Sequence, residues 1–223
     1  SQWFIYDEYM AGNIKKWEKE IKKENAVDIE FDKDIELSLL FEGDYALYKV
    51  GADQYLDITK SNQSYVSLYL SDDFDGLMDS KKQLNYYSNY HFSYIENESY
   101  LLIYANENDA SVNVKFKSIK KDSAEKLEYG KDYECKFENA GDFKFYKVEE
   151  GQYLDIMTSN KSNVSLYLSD EFDRLNYSKK KVCDYSDYNI SYIENESYLL
   201  IFANENDASV NVKFKSIKKE SAE

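Results

Sequence analysis

The sequence predicts an all-β protein: two tandem jelly-roll-like β-sandwich domains preceded by a short N-terminal helix. Three observations lead to this prediction, namely an internal repeat with a constant offset, alternation of apolar and polar residues within each repeat, and an apolar stripe at helical spacing before the repeats. Apolar residues make up 43% of the 223 residues, enough for folded cores despite a mean hydropathy of −0.72. We therefore expect folded domains rather than a disordered chain.

The repeat sets the domain organisation. Residues 43–125 align with residues 141–223 without a gap, and about 60 of the 83 positions are identical. Extended towards the N-terminus, the units are residues 28–125 (unit one) and 126–223 (unit two), each about the size of a β-sandwich domain. The alternative is that the two units are halves of a single domain, but each unit is long enough to form its own hydrophobic core. Both units end in Ser-Ala-Glu, which predicts a fragment of a longer array or a C-terminal pair.

Residues 1–27 are predicted to form the helix. An apolar residue recurs there every three or four positions, which is the spacing of one helical face, at Trp3, Tyr6, Met10, Ile14, Trp17 and Ile21. The segment is too charged for a signal peptide. We expect this helix to pack on the first sandwich or on an upstream domain; a partner-binding or coiled-coil segment is the alternative.

The repeats carry the pattern of β-strands. In Val112–Phe116 and again in Val66–Leu70, apolar residues alternate with polar ones, as in a strand with one buried face. Tyr100–Ala105 is apolar on both faces, which predicts a central strand. Asn- and Asp-rich turns separate these short runs, and this order favours a sandwich over an α/β fold.

Composition excludes several functions. The chain has 43 acidic and 28 basic residues, a net charge of −15, and phosphate binding requires clustered basic surface, so we do not expect a nucleic-acid partner. No apolar run approaches the ~18 residues of a membrane span. A single His, two Cys and no CxxC pair argue against a zinc site or His-dependent catalysis. No nucleophile or phosphate-loop motif is present, and we predict that the protein is not an enzyme.

The order of the strand motifs carries a family resemblance. Gly-Asp-aromatic strands (GDYALYKV and GDFKFYKV) are followed by QYLDI and VSLYLSD, and unit one closes with ESYLLIYANENDASVNVKF. This order resembles the bacterial pre-peptidase C-terminal domain family, which includes the collagen-binding domains of clostridial collagenases. The resemblance implies a jelly-roll sandwich and a non-catalytic module of a secreted or cell-surface bacterial protein, often an extracellular peptidase.

Two functions follow from this interpretation. The first is a tandem binding module that holds an extracellular protein, matrix or cell-wall glycan partner, with adhesion strengthened by repetition. The alternative is a structural spacer, or assembly domains that pack on a parent peptidase with its catalytic domain upstream. A binding module should expose an aromatic cluster at equivalent places in both units, whereas a spacer should bury those rings between the units or against the helix.

Tyrosines are the candidate ligand-binding residues. The chain has 23 of them, and rigid amphipathic rings are typical of recognition surfaces. Cross-strand packing that stiffens a sheet is the alternative role. The candidates for the binding surface are Tyr65, Tyr69, Tyr104, Tyr167 and Tyr192.

Calcium is the candidate cofactor. Some members of the family bind calcium, and Asp44 and Asp142 match an Asp of their site. Separately, two equivalent acidic loops offer the oxygen ligands that Ca²⁺ prefers. The alternative is that each loop is an acidic turn in contact with solvent and binds no metal. The loop candidates are Asp72, Asp73, Asp75, Asp170 and Asp173. Cys135 and Cys183 lie only in unit two, so we expect buried free thiols, with a disulfide as the alternative.

Overall fold

The computed structural model describes residues 20–218 and is almost entirely β-sheet. Unit one contains strands β1 (Val27–Asp28), β2 (Asp34–Leu39), β3 (Tyr45–Val50), β4 (Gln54–Ser64), β5 (Val66–Ser71), β6 (Tyr90–Ile95), β7 (Ser99–Ala105) and β8 (Ala110–Lys120). Unit two contains β9 (Glu125–Lys126), β10 (Asp132–Phe137), β11 (Phe143–Val148), β12 (Gln152–Ser162), β13 (Val164–Ser169), β14 (Lys181–Val182), β15 (Tyr188–Ile193), β16 (Ser197–Ala203) and β17 (Ala208–Lys218). Short 3₁₀ turns lie at Lys23–Asn25, Ser80–Lys82, Lys121–Ser123, Phe172–Arg174 and Ser178–Lys180.

Each unit is a sandwich of two sheets with the same topology. In unit one the strand orders are β1-β3-β7-β5 and β2-β8-β4-β6; in unit two they are β9-β11-β16-β13-β14 and β10-β17-β12-β15. Within residues 20–218 no sheet mixes strands of the two units. The all-β sandwich prediction is therefore confirmed, and β7 is an interior strand of its sheet, as its two apolar faces predicted.

The two sandwiches have separate cores. One buried cluster draws only on unit one, with Leu56, Ile103 and Phe116 at its centre. The other draws only on unit two, with Leu154, Ile201 and Phe214 in the matching places. Period-two alternation explains this arrangement, since Leu56 and Ile58 of β4 face the core while Tyr55 and Asp57 face away from it.

The predicted N-terminal helix is not found in the described residues. Residues 1–19 of that prediction lie outside them, and residues 20–27 contain only the turn Lys23–Asn25 and the start of β1. Ala26 is extended, and β1 then pairs in parallel with Tyr48 and Lys49 at the edge of a sheet. Pairing with β3 at the sheet edge satisfies backbone groups of β1 that a helix would have satisfied internally. Ile21 and Ala26, which precede β1, pack on the outer surface of the same sheet.

Candidate functional site: the aromatic interface between the units

The outer surface of the β2-β8-β4-β6 sheet, here called the front face of unit one, carries an ordered array of side chains. Direct cross-strand pairing places Tyr94 and Ile119 on either side of Tyr55. The next row places Phe92 and Lys117 beside Asp57. Because paired residues of antiparallel strands project to the same side, these side chains form one continuous surface. Tyr55 and Ile119 are both 0% exposed, so another element covers this surface.

Unit two covers this surface. The outer surface of its β9-β11-β16-β13-β14 sheet, here called the back face, presents Phe145, Tyr198, Leu200 and Phe202. The loop after β13 adds Phe172 and Leu175 to it. These side chains form a single buried cluster with Tyr55 and Ile119 of unit one. The two sandwiches are thus joined front face to back face through a third hydrophobic cluster.

Tyr55 is the centre of this interface. Its hydroxyl donates a hydrogen bond to the backbone carbonyl of Phe172, at 2.6 Å, and accepts one from the backbone N–H of Leu175, at 2.9 Å. Its ring stacks on Phe92 with a centroid distance of 4.9 Å and meets the Phe172 ring edge-on at 5.3 Å. Burial raises the pKa of Tyr55 well above its ordinary value, so the hydroxyl stays protonated and keeps both hydrogen bonds.

A polar corner lies beside the aromatic cluster. Lys117 of unit one forms an ion pair with Asp142 of unit two. Asp57 is 1% exposed, and neither of its carboxylate oxygens has a hydrogen-bond partner. Burial raises the pKa of Asp57 to about 8; Lys117 opposes this increase and Asp142 adds to it. Close approach requires a glycine at Gly141, which has φ +88°, because a Cβ there would lie 2.5 Å from Asp57 Oδ2.

The same front-face positions in unit two are uncovered. Tyr153, the copy of Tyr55, is 45% exposed, and Ile217, the copy of Ile119, is 50% exposed. Tyr192 pairs across the strands with Tyr153, with ring centroids 5.0 Å apart, just as Tyr94 pairs with Tyr55. Identical or similar residues on the same fold therefore have opposite exposure in the two units.

The back face of unit one is covered within the chain. Leu47, Tyr100 and Leu102 are buried there, with Ile21 and Ala26 packed against them. Ile119 and Ala124 take the matching places against unit two. Both back faces therefore contact the segment that leads into their own unit.

The predicted tyrosine candidates do not form one surface. Tyr65 is exposed at a turn with φ +57°, while Tyr69 and Tyr104 lie on the back face of unit one and are half-buried. Tyr167 packs at the margin of the interface. Tyr192 is exposed on the front face of unit two. Three residues of the interface were missed by the sequence predictions: Tyr55, Phe92 and Phe172. The signal available for Tyr55 was the alternation of Leu56, Asp57 and Ile58, which places Tyr55 on the outward side of its strand.

Four of the acidic candidates accept hydrogen bonds within the protein. Asp44 Oδ2 accepts a hydrogen bond from the Phe41 N–H, and Asp142 Oδ2 accepts one from the Asn139 N–H. In the loops, the carboxylates of Asp72 and Asp170 accept hydrogen bonds from the equivalent side chains of Asn97 and Asn195. Asp73, Asp75 and Asp173 lie in the same loops. Within residues 20–218 no group of three or more His, Cys, Asp or Glu side chains is arranged to hold a metal ion.

The two cysteines are free and buried in the core of unit two. Burial raises the pKa of the Cys183 thiol to about 11 and also raises that of Cys135, so both are poor nucleophiles at neutral pH.

Comparisons with known proteins leave the family unassigned. Neither the protein-family models nor the curated proteins contain a match to this chain. One similar solved structure is the stem and receptor-binding domain of the spike protein P1 from bacteriophage PM2, at 10% identity, covering 86% of this chain and 82% of that one with a TM-score of 0.16. A TM-score this low supports no argument about fold or function. In residues 20–218 no helix is both long and apolar enough to cross a membrane.

Proposed function

We propose that this chain is a non-enzymatic structural module of a secreted or cell-surface bacterial protein, in which aromatic sheet faces join successive sandwiches into a stiff tandem. The observation that carries the proposal is the burial of the Tyr55 ring and hydroxyl between the two units. A spacer or assembly domain requires such a contact, because a flexible link between sandwiches would not hold a fixed distance or direction.

The chemistry of the contact suits a permanent joint. Large rings in offset or edge-on contact contribute about 0.5–1.5 kcal/mol per pair beyond their buried area. The interface contains several such pairs across the two units, including Phe92 with Phe202 at 4.9 Å and Tyr94 with Phe172 at 5.9 Å. The Lys117–Asp142 pair adds a directional contact at its border. A transient joint would be smaller and more polar.

Solution X-ray scattering tests this proposal. Wild-type protein should scatter as one particle with a fixed separation between the two sandwiches. Ile119→Asp places a charge in the buried cluster and should broaden the distribution of interatomic distances, whereas the matched variant Ile217→Asp, on the exposed copy of the same position, should leave it unchanged. A broad wild-type distribution that Ile119→Asp does not alter would contradict the proposal.

A second candidate function is binding, in which the front face of unit two holds an extracellular protein, matrix or cell-wall glycan. The exposed rings of Tyr153 and Tyr192 favour it. The test is retention of the full chain on immobilised matrix proteins and cell-wall glycans, with and without calcium. Tyr192→Ser should abolish retention, and Tyr65→Ser, which is exposed away from this face, should not. Absence of retention on every surface would exclude binding to these ligands.

A further inference from the structure

We infer that the front face of unit two is a docking site for a further β-sandwich module of the same kind. The back face of that module would pack on unit two as the back face of unit two packs on the front face of unit one. This inference rests on the proposed structural function and names the partner of its uncovered face. The partner is defined by chemistry: a module with an aromatic back face and a Gly-Asp pair just before the strand that corresponds to β11.

The first argument is the identity of the two front faces. Tyr153 and Tyr192 repeat Tyr55 and Tyr94, and the same cross-strand pairing places Ile217 beside Tyr153. The polar row is repeated as well, with Lys215 paired to Asp155 as Lys117 is paired to Asp57. Ile190 stands in place of Phe92, and the other residues named here are the same in the same register. A face whose copy makes an interface, with these residues in the same places, has the geometry to make that interface again.

The second argument is exposed apolar surface. In addition to Tyr153, Tyr192 and Ile217, the face exposes Tyr188 and Ile190 at about half of their surface. Contiguous apolar patches of this kind on soluble proteins mark interaction sites. Asp155 is only 7% exposed and its Oδ1 has no hydrogen-bond partner, so this carboxylate is already buried, as that of Asp57 is.

The third argument is a linker motif that occurs three times, always with the same spacing. The order Ile-Lys-Lys-x-x-Ala begins at Ile21, Ile119 and Ile217. In the first two occurrences the Ile and Ala pack on the back face of the following unit, and the second Lys lies over an equivalent ring, Tyr100 at 5.4 Å and Tyr198 at 5.8 Å. The motif therefore marks a contact with the back face of the following unit, and at Ile119 it also begins the joint between the front face of unit one and the back face of unit two. Ile217 begins the motif on the uncovered face.

The electrostatic requirements of the partner follow from the existing joint. An incoming Asp at the position of Asp142 would pair with Lys215, as Asp142 pairs with Lys117. A Gly at the position of Gly141 is needed to approach Asp155, since the Cβ of any other residue would collide with the carboxylate in the equivalent geometry. Unit two itself meets both requirements, so a copy of unit two is the probe of choice.

The experiment uses the full chain and an extended chain in which residues 126–223 are repeated in frame after residue 223, with phenylalanine at the copied positions of Tyr153 and Tyr192 so that each measured tyrosine is unique. Hydroxyl-radical footprinting measures the reactivity of individual tyrosines. In the extended chain the reactivity of Tyr153 should fall several-fold, to that of Tyr55, and the reactivity of Tyr192 should fall to that of half-buried Tyr94. Lys215→Glu should restore their reactivity, while Lys179→Glu, the same charge change on an exposed residue off the front face, should not; circular dichroism checks that both variants fold.

Three results separate the outcomes. Unchanged reactivity of Tyr153 and Tyr192 in the extended chain would overturn the inference. Concentration-dependent protection of the same tyrosines in the two-unit chain would also overturn it, since the occupant would then be a second copy of the chain. High reactivity of Tyr55 in the two-unit chain would instead contradict the proposed structural function, because the first joint would not exist.

Discussion

Truncation of Tyr55 should separate the two units, and the internal repeat provides a matched control. Tyr55 belongs to the interface cluster and not to the core of unit one, so Tyr55→Ala should leave both sandwiches folded. Removal of a fully buried aromatic ring typically costs about 3–5 kcal/mol. Tyr153→Ala removes the same side chain from the same strand position of unit two, where it is 45% exposed, and should cost at most about 1 kcal/mol.

The conservative variant isolates the hydroxyl. Tyr55→Phe keeps the ring but removes two hydrogen bonds, and the Leu175 N–H and the Phe172 carbonyl keep only their 3.3 Å bond to each other. A hydrogen bond contributes about 0.5–1.5 kcal/mol net, so the loss should fall between those of the two alanine variants. Tyr153→Phe should be neutral, because solvent replaces any bond made by an exposed hydroxyl.

Urea unfolding followed by circular dichroism measures these differences. If the units are coupled, wild-type protein should unfold in one transition whose urea dependence reflects the surface of both sandwiches. Tyr55→Ala should give an earlier and shallower transition, or two transitions, since each unit then unfolds alone. Equal losses for Tyr55→Ala and Tyr153→Ala would refute the reasoning, because the main difference between the two positions is the covering unit.

Three further predictions concern the polar corner and metal binding. In urea unfolding, Gly141→Ala should destabilise the joint far more than Gly151→Ala. Both glycines have positive φ, but only a Cβ at position 141 would lie against a neighbouring side chain. Equal effects of the two substitutions would contradict this prediction. The Asp57 pKa is about 8 in the folded protein and 3.8 ordinarily, so the folded state holds the proton more tightly and stability should fall as pH rises from about 4 to about 8 and then level off. One pKa unit corresponds to about 1.4 kcal/mol, and Asp57→Asn should flatten this part of the wild-type pH profile; an unchanged slope would assign the titration to other groups. Addition of EDTA should leave the thermal midpoint unchanged, as residues 20–218 contain no three-ligand cluster; a lower midpoint would indicate a bound metal.

The fold was predictable because its signals are local. The alternation in Val112–Phe116 and the two-sided apolar run Tyr100–Ala105 correspond to β8 and β7. The constant offset of the repeat predicted the matching topology of the two units. The helix prediction, by contrast, depended on spacing alone, and around Ile21 tertiary contact with the back face and pairing at the sheet edge decide the structure instead.

The interface was only partly predictable. The sequence indicated that outward tyrosines would either bind a partner or be buried between units, but Tyr55 and Tyr153 occupy identical pentapeptides, QYLDI, and one is covered while the other is exposed. Which copy is covered depends on the neighbouring unit and not on local sequence. The acidic loops were ambiguous for a related reason, since the Asp72 carboxylate accepts a hydrogen bond from Asn97, a residue 25 positions away in the chain.

The backbone amide of Leu175 reports on the joint most directly. It lies outside the strands, in the loop of unit two, and donates to the Tyr55 hydroxyl of unit one. Hydrogen exchange read out by NMR should show protection of this amide comparable to that of interior strand amides. Tyr55→Phe should lower the protection, because only the 3.3 Å hydrogen bond to the Phe172 carbonyl then remains, while leaving the amides of β16 unaffected. Rapid exchange of Leu175 in the wild-type chain would mean that the two sandwiches are not held together by this interface.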